Sequence, residues 1–345
     1  MKVFKIIFYN LLFFFISLLL IEIIFGYWFD KDNLGPYMRE HRMKKNFYSL
    51  KYNNQNYDFL YKRNYHGFRG EEIPLNSIKA VMVGGSTTDE RYKPEEKTIV
   101  GILNKELKNS GNDLKIVNAG IEGQSTRGHI FNFEVWFPKL KNFKPKYFLF
   151  YVGINDHLIN LKEKSEDGHI LNPSNSEKLK DNFKSRSIFY DLSRKIKHKH
   201  HNKGEKVEYD FDNAMKKRNS ERNFKFLTYE QAIKTYDIKN LSKVNNHLIK
   251  NYLLNIDRLA YLSEKKGAKP IFINQLTEEG NLNKKLFIIN YSLIKHCKKK
   301  GYSCIDLASK LEGEEQFWWD GIHTTPEGSE EIVKIILPEL IKHFK

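Results

Sequence analysis

Asp320 and His323 have the residue types and the spacing of an oriented general base. They lie three positions apart within the run FWWDGIHTTPEG at 317–328, whose Gly and Pro residues predict a loop before a helix. In such a loop the carboxylate can bond one imidazole nitrogen and leave the other nitrogen free to accept a proton. The pair could therefore activate a nucleophile that another part of the chain supplies.

Three more polar signatures end short apolar runs of the chain. GGSTT at 84–88 follows the first run, NAGIEGQS at 118–125 the second, and GIND at 153–156 the third. Because the loops at the carboxyl ends of parallel strands converge on one crevice, we expect all three signatures to face it. Ser86 then lies at the mouth of the first turn, while Asp89 and Glu90 are interpreted as surface or capping residues.

The elements that must position these residues alternate between strand and helix, which indicates parallel strands joined by crossover helices. We therefore predict an α/β fold, a three-layer α/β/α sandwich with a central parallel five-stranded sheet. Apolar β-rich runs lie at 80–83, 114–118, 147–152, 270–274 and 303–307, and segments of helical period at 98–109, 126–141, 229–266, 284–299 and 326–343.

The first 29 residues predict an N-terminal membrane anchor. Residues 6–29 are almost all apolar and, at about 1.5 Å per residue, long enough for a helix to cross a bilayer. Tyr27 and Trp28 fall where an interfacial aromatic belt would lie, and Glu22 is near enough to that end to reach water. A cleavable signal peptide is the alternative, but no small-x-small cleavage site follows the apolar run.

The remaining chain divides into a connecting segment at 30–78 and one domain at 79–345. Positive charges on both sides of the anchor compete for the cytoplasmic face, and we expect a single-pass protein with this domain outside the cytoplasm. The connecting segment is polar and lacks a clear period. The domain carries an insertion at about 158–226 after the third strand, helical near 187–196, basic in its middle, and beside the crevice.

Charge and cysteine content narrow the possible partners and ligands. The formal net charge of +16 is compatible with nucleic acid, anionic lipid or an acidic polymer as a partner. No nucleic-acid fingerprint is present, and we expect no binding of nucleic acid. Cys297 and Cys304 can pair with each other, although two free thiols are the favoured interpretation. The cluster His198, His200 and His201 could hold a metal, but without a spaced acidic partner it is interpreted as a solvated loop.

The blocks around Ser86, Gly123, Asn155 and His323 together resemble the SGNH/GDSL hydrolase superfamily. The resemblance covers most of 80–157 and 270–343 and is closest to the branch with GGST in place of GDS, often found in membrane-attached proteins of bacterial surface glycan or lipid modification. It implies a flavodoxin-like SGNH hydrolase fold for the domain at 79–345. The aspartate of the GDS form is absent, since Gly85 occupies its position.

Residue by residue, the resemblance implies that Ser86 is the nucleophile, His323 the base and Asp320 its orienting partner. The oxyanion hole would consist of the backbone N–H groups of Ser86 and Gly123 and the side-chain amide of Asn155. A serine hydroxyl needs such a base to become nucleophilic, and a tetrahedral oxyanion needs donors already in place. No metal or cofactor is implied.

The implied activity is that of a membrane-anchored serine esterase that hydrolyses an O-acyl ester, in particular O-acetyl, on a cell-surface carbohydrate. Two alternatives stay open. An O-acyltransferase of a surface glycan or lipid would use the same three residues, and a non-catalytic glycan-binding or assembly protein could use the basic insertion to hold an anionic polymer. The residues leave the acyl group, the acceptor and the oligomeric state open.

Overall fold

The computed structural model describes residues 2–29, 34, 38, 45–158, 175–199, 206–221 and 223–344. Its helices and strands are, in chain order, α1 (Lys2–Phe25), β1 (Lys45–Tyr52), β2 (Gln55–Lys62), β3 (Ala80–Gly84), α2 (Ser86–Asp89), α3 (Ile99–Asn109), β4 (Ile116–Asn118), α4 (Thr126–Val135), β5 (Tyr147–Tyr151), α5 (Asn175–Arg186), α6 (Ile188–Lys199), β6 (Val207–Asp210), α7 (Phe211–Glu221), α8 (Tyr229–Thr235), α9 (Ile238–Val244), α10 (Asn246–Lys265), β7 (Lys269–Ile273), α11 (Lys284–Lys300), β8 (Ser303–Ile305) and α12 (Pro326–His343).

The central sheet has five strands in the order β4-β3-β5-β7-β8, and every neighbouring pair is parallel. Counted within the domain, this order is 2-1-3-4-5, which is the order of a flavodoxin-like doubly wound sheet. The predicted α/β fold class with a parallel five-stranded sheet is thus confirmed. In such a sheet a crevice opens at the carboxyl ends of the strands, where the chain order reverses between β3 and β5.

Helices cover both faces of this sheet because its strands are apolar on both sides. Successive side chains of a strand point to opposite faces. Val81 and Val83 of β3 pack on one face with buried residues of α4, α10 and α11, whereas Ala80 and Met82 pack on the other face with α3 and α12. The arrangement is a three-layer sandwich with the sheet in the middle.

Two predicted helices are wrong in their extent. The segment 126–141 was expected to be helical throughout, but α4 ends at Val135 and a short 3₁₀ turn, Phe137–Lys139, follows it. The segment 229–266 was expected to form a single long helix, but it forms α8, α9 and α10. Tyr236 ends α8 in an extended conformation, and the Asp237 side chain accepts a hydrogen bond from the N–H of Asn240 and so caps α9. The capping preference of Asp237 outweighs the helical period, which continues across the break.

A second sheet of three strands, β2-β1-β6, lies outside the central one. We call it the accessory sheet. Strands β1 and β2 form an antiparallel hairpin within the segment for which no periodic structure was expected, and β6 from the insertion pairs parallel to β1. The hairpin turn is Asn53-Asn54, with φ of 54° and 56°, the conformation of a type I′ turn. This Asn-Asn pair between aromatic-rich runs was a hairpin signal that the sequence analysis missed.

Helix α1 covers residues 6–25 of the segment that was predicted as a membrane anchor. Its stretch Val3–Phe25 is 23 residues long, has a mean hydropathy of 2.4, and is long and apolar enough to cross a membrane, a property that a signal sequence shares. The expectation that Glu22 reaches water is wrong: its exposed fraction is 9%. The Glu22 carboxylate accepts hydrogen bonds from Trp28 Nε1 and, across the fold, from Ser187 Oγ at the start of α6.

The interpretation of Cys297 and Cys304 as free thiols is also wrong. Cys297, near the end of α11, and Cys304, in β8, form a disulfide with a Cα to Cα distance of 6.2 Å. Gly301, with φ of 73°, ends α11 in the left-handed conformation and reverses the chain into β8. This tight reversal brings two residues seven positions apart into bonding range.

Candidate active site

Strand β3 delivers Ser86 to the carboxyl edge of the central sheet, at the first position of α2. The two glycines before it are required by close approaches. A Cβ on Gly84 would lie 2.0 Å from Thr88 Oγ1, and a Cβ on Gly85 would lie 2.4 Å from Asn155 Nδ2. The GGS sequence therefore reflects packing: the third signature loop approaches the backbone just before Ser86.

His323 and Asp320 meet Ser86 in this crevice although they are distant in sequence. His323 Nε2 lies 2.8 Å from Ser86 Oγ, and His323 Nδ1 lies 2.8 Å from Asp320 Oδ2. The other carboxylate oxygen of Asp320 accepts hydrogen bonds from the backbone N–H groups of Ile322 and His323. These bonds fix the position of the carboxylate that contacts the imidazole.

The charge state of Asp320 follows from these partners. Partial loss of solvent raises the pKa of Asp320, but this effect is outweighed by its hydrogen bonds with His323 and with the N–H of Ile322, so the pKa lies below its ordinary value. An ionised carboxylate can only accept hydrogen bonds, so His323 Nδ1 must carry a hydrogen. His323 Nε2 is then the acceptor for the hydroxyl hydrogen of Ser86.

Asn155 and Gly123 lie on the two loops next to Ser86. One hydrogen of the Asn155 amide is donated to the carbonyl oxygen of Gln124 at 2.8 Å, which fixes the amide and leaves its second hydrogen for a ligand. Gly123 has φ of 76° and its Cβ position faces open space, with no atom within 4 Å. The structure thus brings Gly123 and Asn155, two of the three predicted oxyanion donors, to the edge of the sheet where Ser86 lies.

The loop that bears His323 is held from both sides. Within the loop, the N–H of Trp319 donates to the carbonyl oxygen of His323 at 2.8 Å. From outside, the Trp319 ring stacks on Phe211 of α7 at 3.9 Å and meets Tyr52 of β1 edge-to-face at 4.7 Å. The accessory sheet and the insertion therefore support the segment that positions His323.

A cavity of about 200 Å³ opens beside Ser86 and His323. Its other walls include Arg91, Glu122, Tyr92 and Trp319. Arg91 and Glu122 form an ion pair across the cavity wall. The pocket therefore combines polar groups with aromatic faces, and Trp319 connects it to the accessory sheet.

Asp89 and Glu90 were interpreted as surface or capping residues, but both are buried. Glu90 does cap a helix, since its carboxylate accepts a hydrogen bond from the N–H of Ile99 at the start of α3. It also forms a buried ion pair with Lys93, which donates to Thr324 next to His323. Burial lowers the pKa of Lys93, and Glu90 partly offsets this effect. The ion pair of Glu90 and Lys93 thus connects the segment that follows Ser86 to the loop that bears His323.

The carboxylate of Asp89 lies in a second buried network. It accepts hydrogen bonds from Arg63 Nη2 at 2.9 Å and from Tyr61 OH at 2.8 Å, so the end of α2 is tied to the hairpin strand β2 and the residue after it. Burial raises the pKa of Asp89, but the positive charges around it, that of Arg63 first, lower it below its ordinary value. Asp89 is therefore a buried carboxylate that stays ionised.

Replacing Asp89 with alanine should destabilise the protein by about 3–5 kcal/mol, because Arg63 is left buried without its counter-charge. Since the folded pKa of Asp89 is depressed, its contribution is fully present above its unfolded pKa of about 3.9 and is lost as the pH falls through the folded pKa. Urea unfolding of the full chain in detergent, at neutral pH and at acid pH, measures both effects.

Asp58→Ala is the matched control for Asp89→Ala, because the Asp58 side chain is 67% exposed and its partner Lys206 is also at the surface. An exposed pair of this kind contributes little to stability. If Asp89→Ala were as mild as Asp58→Ala, the buried network would not be a stabilising contact.

Among the residues that the structure describes, no group of three or more His, Cys, Asp or Glu side chains could hold a metal ion. Of the predicted histidine cluster, His200 and His201 lie outside the described residues, as does the side chain of His198.

No protein-family model matches the chain, and neither does any curated protein. Solved structures that resemble it include TesA, at 14% identity over 76% of this chain and 97% of that chain with a TM-score of 0.44. A member of the lipolytic G-D-S-L family from Veillonella parvula has 12% identity, coverages of 76% and 97%, and a TM-score of 0.42. A catalytic mutant of the acetylxylan esterase Axe2 from Geobacillus stearothermophilus has 15% identity, coverages of 76% and 94%, and a TM-score of 0.43. At such low identities and TM-scores, these likenesses assign neither an activity nor a substrate to this chain.

Proposed function

We propose that this protein is a membrane-anchored serine esterase of the SGNH type that hydrolyses an O-acyl ester, in particular an O-acetyl ester, on a cell-surface carbohydrate. The observation that carries the proposal is the line of two hydrogen bonds, each 2.8 Å long, from Asp320 through His323 to Ser86. A nucleophile, a base and an orienting carboxylate in this relation perform acyl transfer on several unrelated folds.

In the first half of the reaction, Ser86 Oγ attacks the carbonyl carbon of the ester while His323 Nε2 takes the hydroxyl proton. The oxyanion that forms would receive hydrogen bonds from the backbone N–H groups of Ser86 and Gly123 and from the Asn155 amide. The intermediate collapses when the bond to the alcohol breaks and His323 returns the proton to that alcohol. The product is an acyl-Ser86 ester.

In the second half, a water molecule gives a proton to His323 Nε2 and attacks the acyl carbon. Collapse of this second intermediate breaks the bond to Ser86, which takes the proton back from His323, and releases the free acid. Asp320 stays ionised throughout and stabilises the imidazolium. In an acyltransferase, a hydroxyl of an acceptor sugar would take the place of water at this step.

The pocket favours a short acyl group on a polar carrier. A volume of about 200 Å³ accommodates an acetyl group but is small for a long acyl chain. The ion pair of Arg91 and Glu122 offers both donors and acceptors to hydroxyl groups, and Tyr92 and Trp319 offer aromatic faces. These features support an O-acetylated carbohydrate as the substrate class.

Two features support a retained anchor and a domain outside the cytoplasm. Glu22 of α1 accepts hydrogen bonds from Ser187 Oγ and from the N–H of Ile188. If a signal peptidase removed α1 by cleaving the chain after it, these donors would lose their acceptor. The disulfide of Cys297 and Cys304 is typical of proteins in oxidising compartments.

The decisive experiment incubates the purified full-length protein with acetylated oligosaccharides, once in water and once with unacetylated oligosaccharides as acceptors. Free acetate alone supports the esterase, and acetyl groups on the acceptor support the acyltransferase. The non-catalytic alternative predicts neither product and no labelling of Ser86 by a fluorophosphonate. Labelling without any release or transfer of acetyl would exclude O-acetyl glycans as the substrate class.

Asn155→Ala should lower kcat for a small acyl ester by about 100 to 1,000-fold, with a much smaller change in KM, because an oxyanion donor acts mainly in the transition state. Steady-state kinetics measures both constants. Asn104→Ala is the matched control: the Asn104 amide bonds the backbone of Ile116, which lies in β4. It should change stability but not kcat. An unchanged kcat in Asn155→Ala would remove Asn155 from the proposed oxyanion hole.

A further inference from the structure

We infer that helices α5 and α6 form an interfacial arm that lies on an anionic bilayer surface and holds the catalytic domain against the membrane. This inference rests on the proposed membrane anchor, because the arm adjoins the end of α1. It assigns a binding role to the part of the insertion that the proposed reaction does not use.

Three apolar side chains of α6 face away from the protein. Phe189, Leu192 and Ile196 recur at the spacing of one helix face and are 39%, 44% and 68% exposed. Asp191, which belongs to the other side of the helix, is only 4% exposed. A helix on a water-facing surface normally has the reverse pattern, so an apolar medium outside the protein would stabilise this face.

Helix α5 repeats the pattern. Leu179 and Phe183, one turn apart, are 70% and 57% exposed. The Phe183 ring meets Trp28 edge-to-face at 5.7 Å, so the arm touches the residues where an interfacial aromatic belt was predicted. The exposed apolar residues of the arm thus begin where the apolar surface of α1 ends.

Polar contacts fix the arm to this end of α1. The Glu22 carboxylate accepts hydrogen bonds from the first N–H groups of α6, those of Ile188 and Phe189. The helix dipole also stabilises a negative charge at this end of α6. Tyr27 OH donates to Asp191 at 3.3 Å, and the N–H of Tyr27 donates to the carbonyl oxygen of Arg186 at 2.7 Å. A buried acid at the end of a membrane helix is costly in free energy unless it has hydrogen-bond partners of this kind.

The charge of the arm fits phosphate headgroups. Residues 175–199 contain eight Lys and Arg and three Asp and Glu. An amphipathic helix with exposed Phe, Leu and Ile side chains and many lysines is typical of segments that lie in the plane of an anionic interface. Long basic side chains can extend from the apolar face to the phosphates. Continuity with α1 and this charge together favour lipid over a protein partner.

The test uses the full-length protein in vesicles of phosphatidylcholine and phosphatidylglycerol in equal parts. Because the native cysteines form a disulfide, Ile196→Cys introduces one free thiol, which carries an environment-sensitive fluorophore. Lipids with a quencher near the headgroup should quench this label several-fold more than a label at Leu254→Cys. Leu254 is the matched control, since it is an aliphatic side chain that is 55% exposed on α10, a helix that does not belong to the arm. Leu12→Cys, in the middle of α1, should be quenched by lipids with a deep quencher.

The outcomes separate the arm from the anchor and from the reaction. Equal quenching at 196 and 254, with deep quenching at 12, overturns the arm and leaves the anchor. No quenching at 12 overturns the anchor and the arm together, while ester hydrolysis in the same vesicles reports on the active site independently. A label at 196 that is shielded from both lipid and aqueous quenchers shows that a protein covers this face, which also overturns the inference.

Two further comparisons test how the arm is held. Glu22→Ala should reduce quenching at 196 but not at 12, because α6 loses its attachment to α1. Vesicles of phosphatidylcholine alone should also reduce quenching at 196. Unchanged quenching in Glu22→Ala would contradict the attachment, and unchanged quenching without the anionic lipid would contradict the role of charge.

Discussion

Ser86→Ala should reduce the hydrolysis of p-nitrophenyl acetate on the order of 10⁴ to 10⁶-fold, because loss of the nucleophile leaves only substrate binding and the oxyanion donors. The fold should be unaffected, since Ser86 is partly exposed and alanine is a good helix former at the start of α2. Labelling by a fluorophosphonate should disappear together with the activity. Both assays can be performed on the detergent-solubilised full-length protein.

Ser77→Ala is a suitable control for Ser86→Ala. Ser77 is exposed, and its hydroxyl donates to the nearby carbonyl oxygen of Pro74. This variant should keep both activity and labelling. Activity of Ser86→Ala close to that of the unchanged protein would exclude the acyl-serine mechanism, whereas loss of activity with continued labelling would place the reactive serine elsewhere.

Asp320→Asn should lower kcat by about 10⁴-fold with little change in KM. An asparagine amide would donate to His323 Nδ1 and force the hydrogen onto Nε2, so the imidazole could no longer accept the proton of Ser86. The geometry of the loop should persist, because the remaining amide oxygen can still accept from the N–H groups of Ile322 and His323. Kinetics of ester hydrolysis as a function of pH measures this loss.

Asp237→Asn provides the comparison for Asp320→Asn, since Asp237 is an exposed cap of α9 and asparagine caps helices equally well. It should leave kcat unchanged. A wild-type rate in Asp320→Asn would mean that another group orients His323, and it would remove Asp320 from the proposed catalytic residues while leaving Ser86 and His323 in place.

The insertion and the hairpin add contacts, to the active-site loop and to α1, that the central sandwich alone does not supply. Both pack against Trp319 in the loop that bears His323, and the insertion also meets the end of α1 through α5 and α6. One insertion therefore adjoins both the pocket and the proposed membrane surface. Under the proposed function, the acylated glycan would be bound close to the bilayer.

Much of the fold could be predicted from the sequence because the signals are local. Side-chain period distinguishes strands from helices within a few residues, and it placed all five central strands within two residues of their observed bounds and α12 at its observed bounds. The failures were also local. The helix over 126–141 ends at Val135, the helix over 229–266 is divided by the cap at Asp237, and the type I′ turn at Asn53-Asn54 was not predicted.

The candidate residues Ser86, Gly123, Asn155, Asp320 and His323 were selected from the sequence because turn glycines and polar residues after apolar runs are readable signals. Only the tertiary structure decided that Ser86 Oγ and His323 Nε2 lie 2.8 Å apart. A contact between residues 237 positions apart depends on the order of the strands in the whole sheet. The tertiary structure also decided that Asp89 and Glu22 are buried. Burial of a charge depends on partners from distant segments, Arg63 for Asp89 and the start of α6 for Glu22, and no local pattern announces them.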